Sequence, residues 1–526
     1  MDANSEVIVV GSGPAGAMAA WALRGLGVRL LDFGNTSAGL PKLQENLYSL
    51  RRKTDLTPHL IGPNFEALRY LRRDTPVSLK LRAPALEFVI RNWEELAPLT
   101  SSTFRPVISL AKGGFANAWG AGVYRFGEDD LRGYPIGLAD LSTHYDAVAQ
   151  HIGISGSRDD LWEEFGEEPS LDPPLRLSRN CGQLLASYNS RRSAWMQRGV
   201  RFGRPRLAVI TQPRRGREPY AYRCLEFVQT GDPAMYNPAM TIDELSRAGA
   251  IQYEPGWLVE KFRESETGVE VIARDSQNTR VVFRSRTLIL AAGALNSARI
   301  VLASFADFTT RLPLLDNPMT VLAMFHPRSF GTTLQQDDPA LAQLNVVLAA
   351  EQFGTKYQAS LYGCNGAPMS DFVGTLPLPM DVSRRLLRYL LPALSLAIVF
   401  HPAEPSARQS LRLREDGALD ASYEWHPDNR LAGRLSTVFR GLGTWTAAGM
   451  AKHRNPGEGI HYAGTLPMAA SPGPYQLDTA GRLQGTRNVY VCDGACLPRL
   501  PAKNHTYTVM ANAHRIATSI ARRVAR

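Results

Sequence analysis

The stretch Val7–Gly16, with the sequence VIVVGSGPAG, decides the fold class of this chain of 526 residues. Its apolar, β-branched part Val7–Val10 is typical of a strand that is buried on both faces. The glycine motif GxGxxG follows at once, and residues 17–26 have the Ala- and Leu-rich composition of a helix. A second apolar strand, Val28–Leu31, ends at Asp32. This order of strand, glycine turn, helix, strand and acid is the complete unit of a dinucleotide-binding fold.

Each glycine of this motif has its own physical reason. Gly11 permits the tight turn, Gly13 lets a pyrophosphate approach the backbone, and Gly16 lets the helix pack closely on the strand. The start of the helix offers free N–H groups to the phosphates, and Asp32 is placed to accept a hydrogen bond from a ribose hydroxyl. We therefore predict that Gly13→Val abolishes cofactor retention and that Gly25→Ala, at the far end of the helix, is nearly harmless. The predicted cofactor contacts of this unit are Gly11, Gly13, Pro14, Ala15, Gly16 and Asp32.

Length and composition exclude several classes of protein. Hydrophobic residues make up 44% and charged residues 21% of the chain, which is the balance of a globular protein rather than of a disordered chain or a fibre. The length fits several ordinary domains or one large two-domain enzyme. Apolar runs such as 288–295 and 394–400 are far shorter than the ~18–20 residues that span a bilayer. Residues 1–6 contain neither a basic stretch nor a cleavage site, so we expect no secretion signal.

Charge and cysteine usage bear on partners and location. The net charge is +10, but the basic pairs are scattered along the chain, so we predict no nucleic-acid partner. The five Cys are an odd number, without a CxxC pair or the Cys/His spacing of a zinc site. We therefore predict no metal, reduced thiols and a cytoplasmic location.

Three distant parts of the chain carry further motifs. Lys112–Gly120 is a glycine-rich loop, and Thr287–Ser297 is an apolar strand followed by a glycine turn and a helix start. A C-terminal block consists of His461–Met468, Asn488–Gly494 and Asn504–Thr508. In this order and spacing, together with the N-terminal unit, they resemble the glucose–methanol–choline (GMC) flavoprotein oxidoreductases. The chain has no second GxGxxG after a strand, which favours FAD over a nicotinamide cofactor.

The resemblance implies an α/β fold with two domains. One is a Rossmann-like FAD-binding domain assembled from discontinuous segments, and the other is a substrate-binding domain with an antiparallel sheet. We assign 1–40, 105–150, 245–310 and 455–526 to the FAD-binding domain, and 41–104, 151–244 and 311–454 to the substrate-binding domain. Local patterns predict two hairpins and a closing helix, at 410–425, 269–283 and 511–523.

The resemblance also implies alcohol oxidation at a pair of histidines. A base removes the O–H proton while the C–H hydrogen leaves as hydride to flavin N5, and a histidine suits the base. The resemblance makes His461 the base and His505 the residue that orients the substrate oxygen. Ala118 falls where some relatives carry a flavin-linking His, so we expect non-covalent FAD. The resemblance further places these residues at the cofactor: Gly114, Asn117, Ala292, Gly293, Asp493, Gly494, Asn504 and Thr506.

Several questions stay open at this stage. Reduced flavin is reoxidised by dioxygen or another acceptor, and the alternatives are a non-redox lyase or a flavin-binding protein without turnover. The intact pair of histidines argues against the last alternative. The alcohol is a sugar, a polyol, a glycosylated metabolite or a hydrophobic alcohol, and neither the choice between oxidase and dehydrogenase nor the oligomeric state is decided.

A basic segment late in the chain bears on this choice of substrate. Arg384–Leu391 has the pattern of an amphipathic basic helix. Such a helix borders an entrance for an apolar substrate, makes weak contact with a membrane surface, or packs its Leu face inward. We favour the last interpretation, in which the helix is only partly exposed.

Overall fold

The computed structural model describes residues 5–37, 39–71, 78–349, 356–364, 366–367, 370–373 and 376–524. Its strands are β1 Ser5–Val10, β2 Val28–Leu31, β3 Leu99–Thr100, β4 Val200–Gly203, β5 Ile251–Glu254, β6 Leu258–Ser265, β7 Gly268–Arg274, β8 Arg280–Leu290, β9 Leu312–Pro313, β10 Met319–Phe325, β11 Leu344–Ala349, β12 Lys356–Gly363, β13 Leu394–Phe400, β14 Gln409–Leu413, β15 Leu419–Tyr423, β16 Ala451–His453 and β17 Val489–Val491.

The α-helices lie between these strands and at the C-terminal end. They are α1 Pro14–Ala22, α2 Leu47–Leu50, α3 Thr57–Leu60, α4 Trp93–Leu96, α5 Leu138–Ile152, α6 Trp162–Phe165, α7 Arg179–Asn189, α8 Arg192–Gln197, α9 Pro238–Arg247, α10 Ala294–Ser304, α11 Ser370–Val373, α12 Met380–Leu390, α13 Asn429–Gly441 and α14 Thr506–Val524. Short 3₁₀ helices lie at Glu66–Leu71, Lys80–Arg82, Pro84–Val89, Gly114–Asn117, Pro327–Ser329, Leu391–Ala393, Ala448–Met450 and Gly494–Cys496.

The sheet that carries the glycine motif has seven strands. Its order is β5-β2-β1-β8-β7-β6, and β17 also pairs with β8. β1 runs parallel to β2 and β8, β2 runs parallel to β5, and β17 runs parallel to β8. Val7, Ile8 and Val9 have no exposed surface, as expected for a strand between two layers. Helix α1 packs against α14, which packs in turn against α5. The Rossmann-like part of the predicted fold class is therefore confirmed.

Strand β8 joins two elements that the sequence predicted separately. The strand of the hairpin at 269–283 and the apolar strand at 287–290 form one continuous strand, Arg280–Leu290. Its first half pairs antiparallel with β7, and its second half pairs in parallel with β1. Arg284 and Arg286 interrupt the apolar pattern because their side chains face outward, while Ser285 between them is buried. The two predictions were right in type and wrong in treating the strand as two.

An antiparallel sheet of six strands has the order β16-β10-β13-β12-β11-β4. Along β10 and β13, buried and half-buried residues alternate. The buried set packs into a core with α7 and α13, through residues such as Leu322, Val399 and Leu435. The half-buried set forms the opposite face of the sheet, and this face reaches the site described below.

A third sheet has the order β3-β15-β14-β9 and contains the predicted hairpin of β14 and β15. The antiparallel sheets complete the predicted fold class, an α/β chain with a Rossmann-like part and an antiparallel part. The domain boundaries given above stay a prediction, and residues 1–4, part of the stretch in which we expect no secretion signal, lie outside the described residues. Within the described ranges, no helix has both the length and the apolar character needed to cross a bilayer.

The closing helix is longer than its apolar pattern indicated. It begins at Thr506 rather than at 511. Its first turns include polar residues that are buried, and the Thr508 hydroxyl hydrogen-bonds the Tyr145 hydroxyl of α5 at 2.7 Å. The spacing of apolar residues does not indicate this first turn of the helix, because its buried side chains are partly polar.

Candidate active site

Three helices begin at one cleft, whose volume is about 1320 Å³. The first residues of α1, α10 and α14 line this cleft together with the ends of β1 and β2. Free N–H groups and positive dipole ends at helix starts favour an anionic ligand. The predicted site residues that line the cleft are Gly11, Gly13, Pro14, Ala15, Asp32, Gly114, Ala292, Gly293, Asp493, Gly494, His505 and Thr506.

The three glycines of the motif divide into two kinds. A Cβ at Gly11 would lie 2.5 Å from the carbonyl oxygen of Ala291, and a Cβ at Gly16 would overlap the carbonyl oxygen of Gly11. Those two glycines are needed for packing inside the protein. A Cβ at Gly13 meets no protein atom within 4 Å, so the space in front of Gly13 belongs to the cleft. Gly13 is the position where a ligand can approach the backbone closely.

Gly25 is not the neutral position that the sequence indicated. Helix α1 ends at Ala22, and Gly25 lies in the turn that follows, with a φ of +93°. A side chain in the left-handed region costs about 1–2 kcal/mol. Gly25→Ala therefore strains the turn before β2, and it cannot serve as a harmless control.

Asp32 is tied to the glycine motif and to the glycine-rich loop by one serine. The Ser12 hydroxyl donates a short hydrogen bond to Asp32 Oδ2 and accepts from the backbone N–H of Gly113 at 3.0 Å. The Tyr253 hydroxyl also donates to Asp32 at 3.3 Å. Burial raises the pKa of Asp32 to about 7, although these hydrogen bonds act in the opposite direction. Ser12 could not be recognised from the sequence, because it occupies a variable position of GxGxxG.

Asp493 has a comparable role at the start of α10. Its Oδ2 accepts from the backbone N–H of Gly293 at 2.8 Å and from the Ser297 hydroxyl at 2.5 Å, and its Oδ1 accepts from the N–H of Ala495. Burial raises the pKa of this carboxyl. The carboxylate therefore fixes the end of β17 against the start of a helix that opens on the cleft.

The glycine-rich loop contributes Gly114 to the cleft, whereas Asn117 turns away from it. A Cβ at Gly114 would lie 3.3 Å from the Cα of Gly13, so the loop passes close to the motif. The Asn117 amide donates to the carbonyls of Lys112 and Gly114 and accepts from Asn237. Asn117 lines a separate cavity of about 240 Å³. Its contacts shape the loop, and a direct contact with a cofactor stays a prediction.

The two predicted catalytic histidines lie together. The rings of His461 and His505 are nearly perpendicular, at 85°, and their centroids are 5.1 Å apart. Burial, and to a smaller extent His505, holds the pKa of His461 well below its usual value, and burial lowers the pKa of His505 to about 4. Both rings are therefore neutral at pH 7, and each has one N–H and one lone pair.

Asn317 determines which nitrogen of His461 carries the hydrogen. The fully buried Asn317 amide donates to the carbonyls of His401 at 2.7 Å and Pro501 at 3.1 Å, so its Oδ1 must face His461. This oxygen lies 3.3 Å from His461 Nδ1 and can only accept. The hydrogen is therefore on Nδ1, and the lone pair is on Nε2, 3.4 Å from the Asn504 amide nitrogen. No local motif in the sequence pointed to Asn317.

Two further features of the cleft are unpartnered polar atoms and strained backbone. Asn296 Oδ1 and His505 Nδ1 are buried without a hydrogen-bond partner among the described residues, and both residues line the cleft. A bound ligand with polar groups would satisfy them.

Ile460 has a φ of +58°, which is rare for a β-branched residue. Strained backbone of this kind clusters at functional sites, and Ile460 directly precedes His461.

Comparisons with known proteins bear on the fold and on the C-terminal part of the chain. Residues 433–513, which include His461, Asp493 and His505, match the family model described as GMC oxidoreductase. The crystal structure of pyridoxine 4-oxidase from Mesorbium loti shares the fold with a TM-score of 0.59, over 98% of this chain and 99% of that chain, at 14% sequence identity. No curated protein matches the sequence of this chain. The C-terminal part of the chain is therefore similar to the GMC oxidoreductases, and the chain as a whole shares its fold with one solved oxidase structure.

Proposed function

We propose that this protein uses non-covalent FAD to oxidise an alcohol to an aldehyde or ketone, with dioxygen or another acceptor taking the electrons. The observation that supports this most is the His461 side chain, which is neutral and oriented by Asn317, packs against His505, and holds its Nε2 lone pair 3.4 Å from the Asn504 amide nitrogen. A buried base with this tautomer is suited to remove the proton of an O–H group.

The residues of the cleft fit FAD. Gly13 leaves open the space that a pyrophosphate requires, and α1 directs its N-terminus there. Asp32 at the end of β2 can accept from the ribose. The unpartnered atoms of Asn296 and His505 suit the polar edge of a ring system at the other end. Ala118, which packs against the same apolar cluster as Phe115 and Ile460, has no group that can form a covalent link.

When bound, FAD supplies a hydride acceptor at N5. His461 Nε2 takes the proton from the substrate hydroxyl, and Asn317 Oδ1 keeps its hydrogen bond to Nδ1–H as the ring becomes charged. Neutral His505 donates its single N–H to the substrate oxygen. Phe400, stacked on His461 at 4.3 Å, restricts rotation of the base. Burial of both rings excludes water from the proton transfer.

The test is anaerobic addition of candidate alcohols to the purified yellow protein. We expect loss of the oxidised flavin absorbance and formation of the carbonyl product, followed by recovery of the absorbance when dioxygen or an artificial acceptor is added. Product formation without loss of absorbance would instead indicate a lyase. A colourless protein that cannot be reconstituted with FAD would contradict the cofactor assignment. Flavin that stays with the acid-precipitated chain would contradict the non-covalent one.

A further inference from the structure

One face of the six-stranded sheet is apolar from end to end along two neighbouring strands. Every second residue of β10 from Met319 to Phe325, and every second residue of β13 from Leu394 to Phe400, is half-buried and apolar. The register pairs Met319 with Phe400 at one end and Phe325 with Leu394 at the other. At about 3.4 Å per residue, this apolar track is about 20 Å long.

One end of the apolar track lies at His461, the proposed catalytic base. The Phe400 ring stacks on His461. A Cβ at Gly459 would lie 3.4 Å from the Met319 side chain and 3.7 Å from the Phe400 ring, so the loop that carries His461 lies against this end of the track. A hydrocarbon group on the track would therefore hold its terminal carbon near His461.

The other end of the apolar track reaches the protein surface through aromatic rings. Phe325 stacks on Phe330 with centroids 5.8 Å apart. The ring centroid of Phe330 lies 5.7 Å from that of Tyr389 and 5.5 Å from that of Trp445. Tyr389 and Trp445 are 54% and 62% exposed. Exposed aromatic rings of this kind are typical of protein surfaces that bind partners or membranes.

Helix α12 continues this exposed surface. Leu387 and Leu391 are buried in one apolar cluster and Leu390 is half-buried, as the prediction of an inward Leu face requires, whereas Leu386 is exposed. We call the exposed side the α12 surface; its apolar residues are Leu378, Met380, Val382, Leu386, Tyr389 and Trp445. Met380 is 75% exposed.

The charge of the α12 surface is basic. Arg384, Arg385 and Arg388 lie on the same short helix, and all three side chains are exposed. Arg384 pairs with Asp381 at 3.6 Å, whereas Arg385 and Arg388 form no ion pair with any residue that the structure describes. Apolar side chains beside unpaired arginines complement a bilayer with anionic headgroups.

We propose that the α12 surface binds an anionic lipid bilayer and that the substrate is a hydrophobic alcohol, which passes from the bilayer along the apolar track to His461. The substrate part rests on the proposed function, while the docking part does not. The alcohol group meets the base, and the hydrocarbon part lies along β10 and β13. A sugar or polyol would leave its additional hydroxyl groups against this face without partners, which is unfavourable.

The docking part is tested by sedimentation of the full FAD-loaded chain with vesicles. We expect binding to vesicles of phosphatidylcholine mixed with phosphatidylserine, and at least tenfold weaker binding to phosphatidylcholine alone. The variant Val382→Asp/Leu386→Asp and the variant Arg384→Gln/Arg385→Gln/Arg388→Gln should each lose at least tenfold in binding.

The control for these variants is Leu68→Asp, which places a single aspartate at an exposed Leu on another element. It should bind vesicles like the unchanged protein. Absence of binding to anionic vesicles would overturn the docking part. So would a dimer that is lost in Val382→Asp/Leu386→Asp, since the surface would then bind a second copy of the chain.

The substrate part is tested by flavin reduction with primary alcohols of increasing chain length. Burial of one methylene group on the track should raise kcat/KM about three- to fourfold. Ile398→Glu, in the middle of the track, should abolish this dependence on chain length. Preference for sugars or short polyols, with flavin reduction intact, would overturn the substrate part and leave the proposed function standing. Vesicle binding without flavin reduction by any alcohol would overturn the proposed function, and the substrate part with it, and would leave the docking part standing.

Discussion

The cleft and the apolar track meet at the two histidines, because His505 lines the cleft and His461 contacts both His505 and Phe400 of the track. Different kinds of contact build the two regions. In the cleft, backbone geometry and hydrogen bonds prevail: Gly13 leaves open space, and Ser12 joins Asp32 to the glycine-rich loop. Along the track, β10 and β13 present only hydrocarbon. A polar site discriminates strongly between ligands because an unpaired buried group costs free energy, whereas hydrophobic burial has no direction. We infer that the cleft is selective for one cofactor and that the track accepts hydrocarbon groups of several shapes.

The largest effect is expected at the glycine that leaves space for the cofactor. Gly13→Val should abolish FAD retention, because the side chain fills the space in front of the motif. The matched control is Gly182→Val on α7, where a Cβ also meets nothing within 4 Å. Absorbance of the purified variants measures bound flavin. Equal flavin content in the two variants would show that the open space at Gly13 is not the cofactor site.

His461→Ala should keep FAD and slow flavin reduction about 10²–10⁴-fold, the usual contribution of a positioned base. His505→Asn should slow flavin reduction less than His461→Ala does, because Asn still donates a hydrogen bond.

The lowered pKa of His461 means that the base stays neutral as the pH falls through 6.5, so the unchanged enzyme should lose activity only in more acidic solution. Stopped-flow reduction over a pH series measures both effects. An acid limb near pH 7, or equal rates for His461→Ala, would contradict the assignment.

Asn317→Leu should slow flavin reduction about 10–100-fold, since His461 Nδ1–H loses its acceptor and stays buried. In the proposed mechanism Asn317 acts through His461 as a positioning residue, so the pH profile is the informative readout. Asn317→Asp should recover part of the rate and move the acid limb to higher pH, because a carboxylate stabilises the charged ring. The control is Asn180→Leu, which removes a buried Asn elsewhere in the protein, on α7. It should lower stability without moving the pH profile. The same profile in Asn317→Leu and Asn317→Asp would exclude this role.

The smallest effect is expected in the pH dependence of FAD binding. Asp32 has a pKa of about 7 without ligand, and only its ionised form fully accepts from ribose hydroxyls. Binding therefore favours loss of the proton, and the affinity falls as the pH falls. Between pH 8 and pH 6 the Kd of the apoprotein should rise about tenfold. Asp32→Asn should bind FAD more weakly but without this dependence, and the same slope in that variant would assign the dependence to another group.

The sequence predicted the parts of the fold and the site that depend on local patterns. The glycine motif and the hairpin of β14 and β15 are contiguous, and turn chemistry and side-chain alternation specify them. The pair of histidines came from a motif of the family. Asn317 could not be found in this way, because it meets His461 across 144 residues and no spacing rule connects them. The pattern of α12 predicted a helix, but tertiary packing alone decided which of its leucines would be buried.

The pairing of β8 has a consequence for biosynthesis. Val10 at the end of β1 pairs with Leu290, and β2 pairs with β5 at residues 251–254. At about 5–20 residues per second, the ribosome takes on the order of tens of seconds to make the chain between β1 and β8. During that interval β1 and β2 can pair with each other, but β8 and β5, their neighbours in the sheet, are not yet made. The unpaired edges of these apolar strands can therefore pair with other chains and aggregate. The nascent chain should therefore be open to aggregation until β8 has emerged. Because α14, close to the C-terminus, also lines the cleft, we expect FAD to bind only after translation is nearly complete.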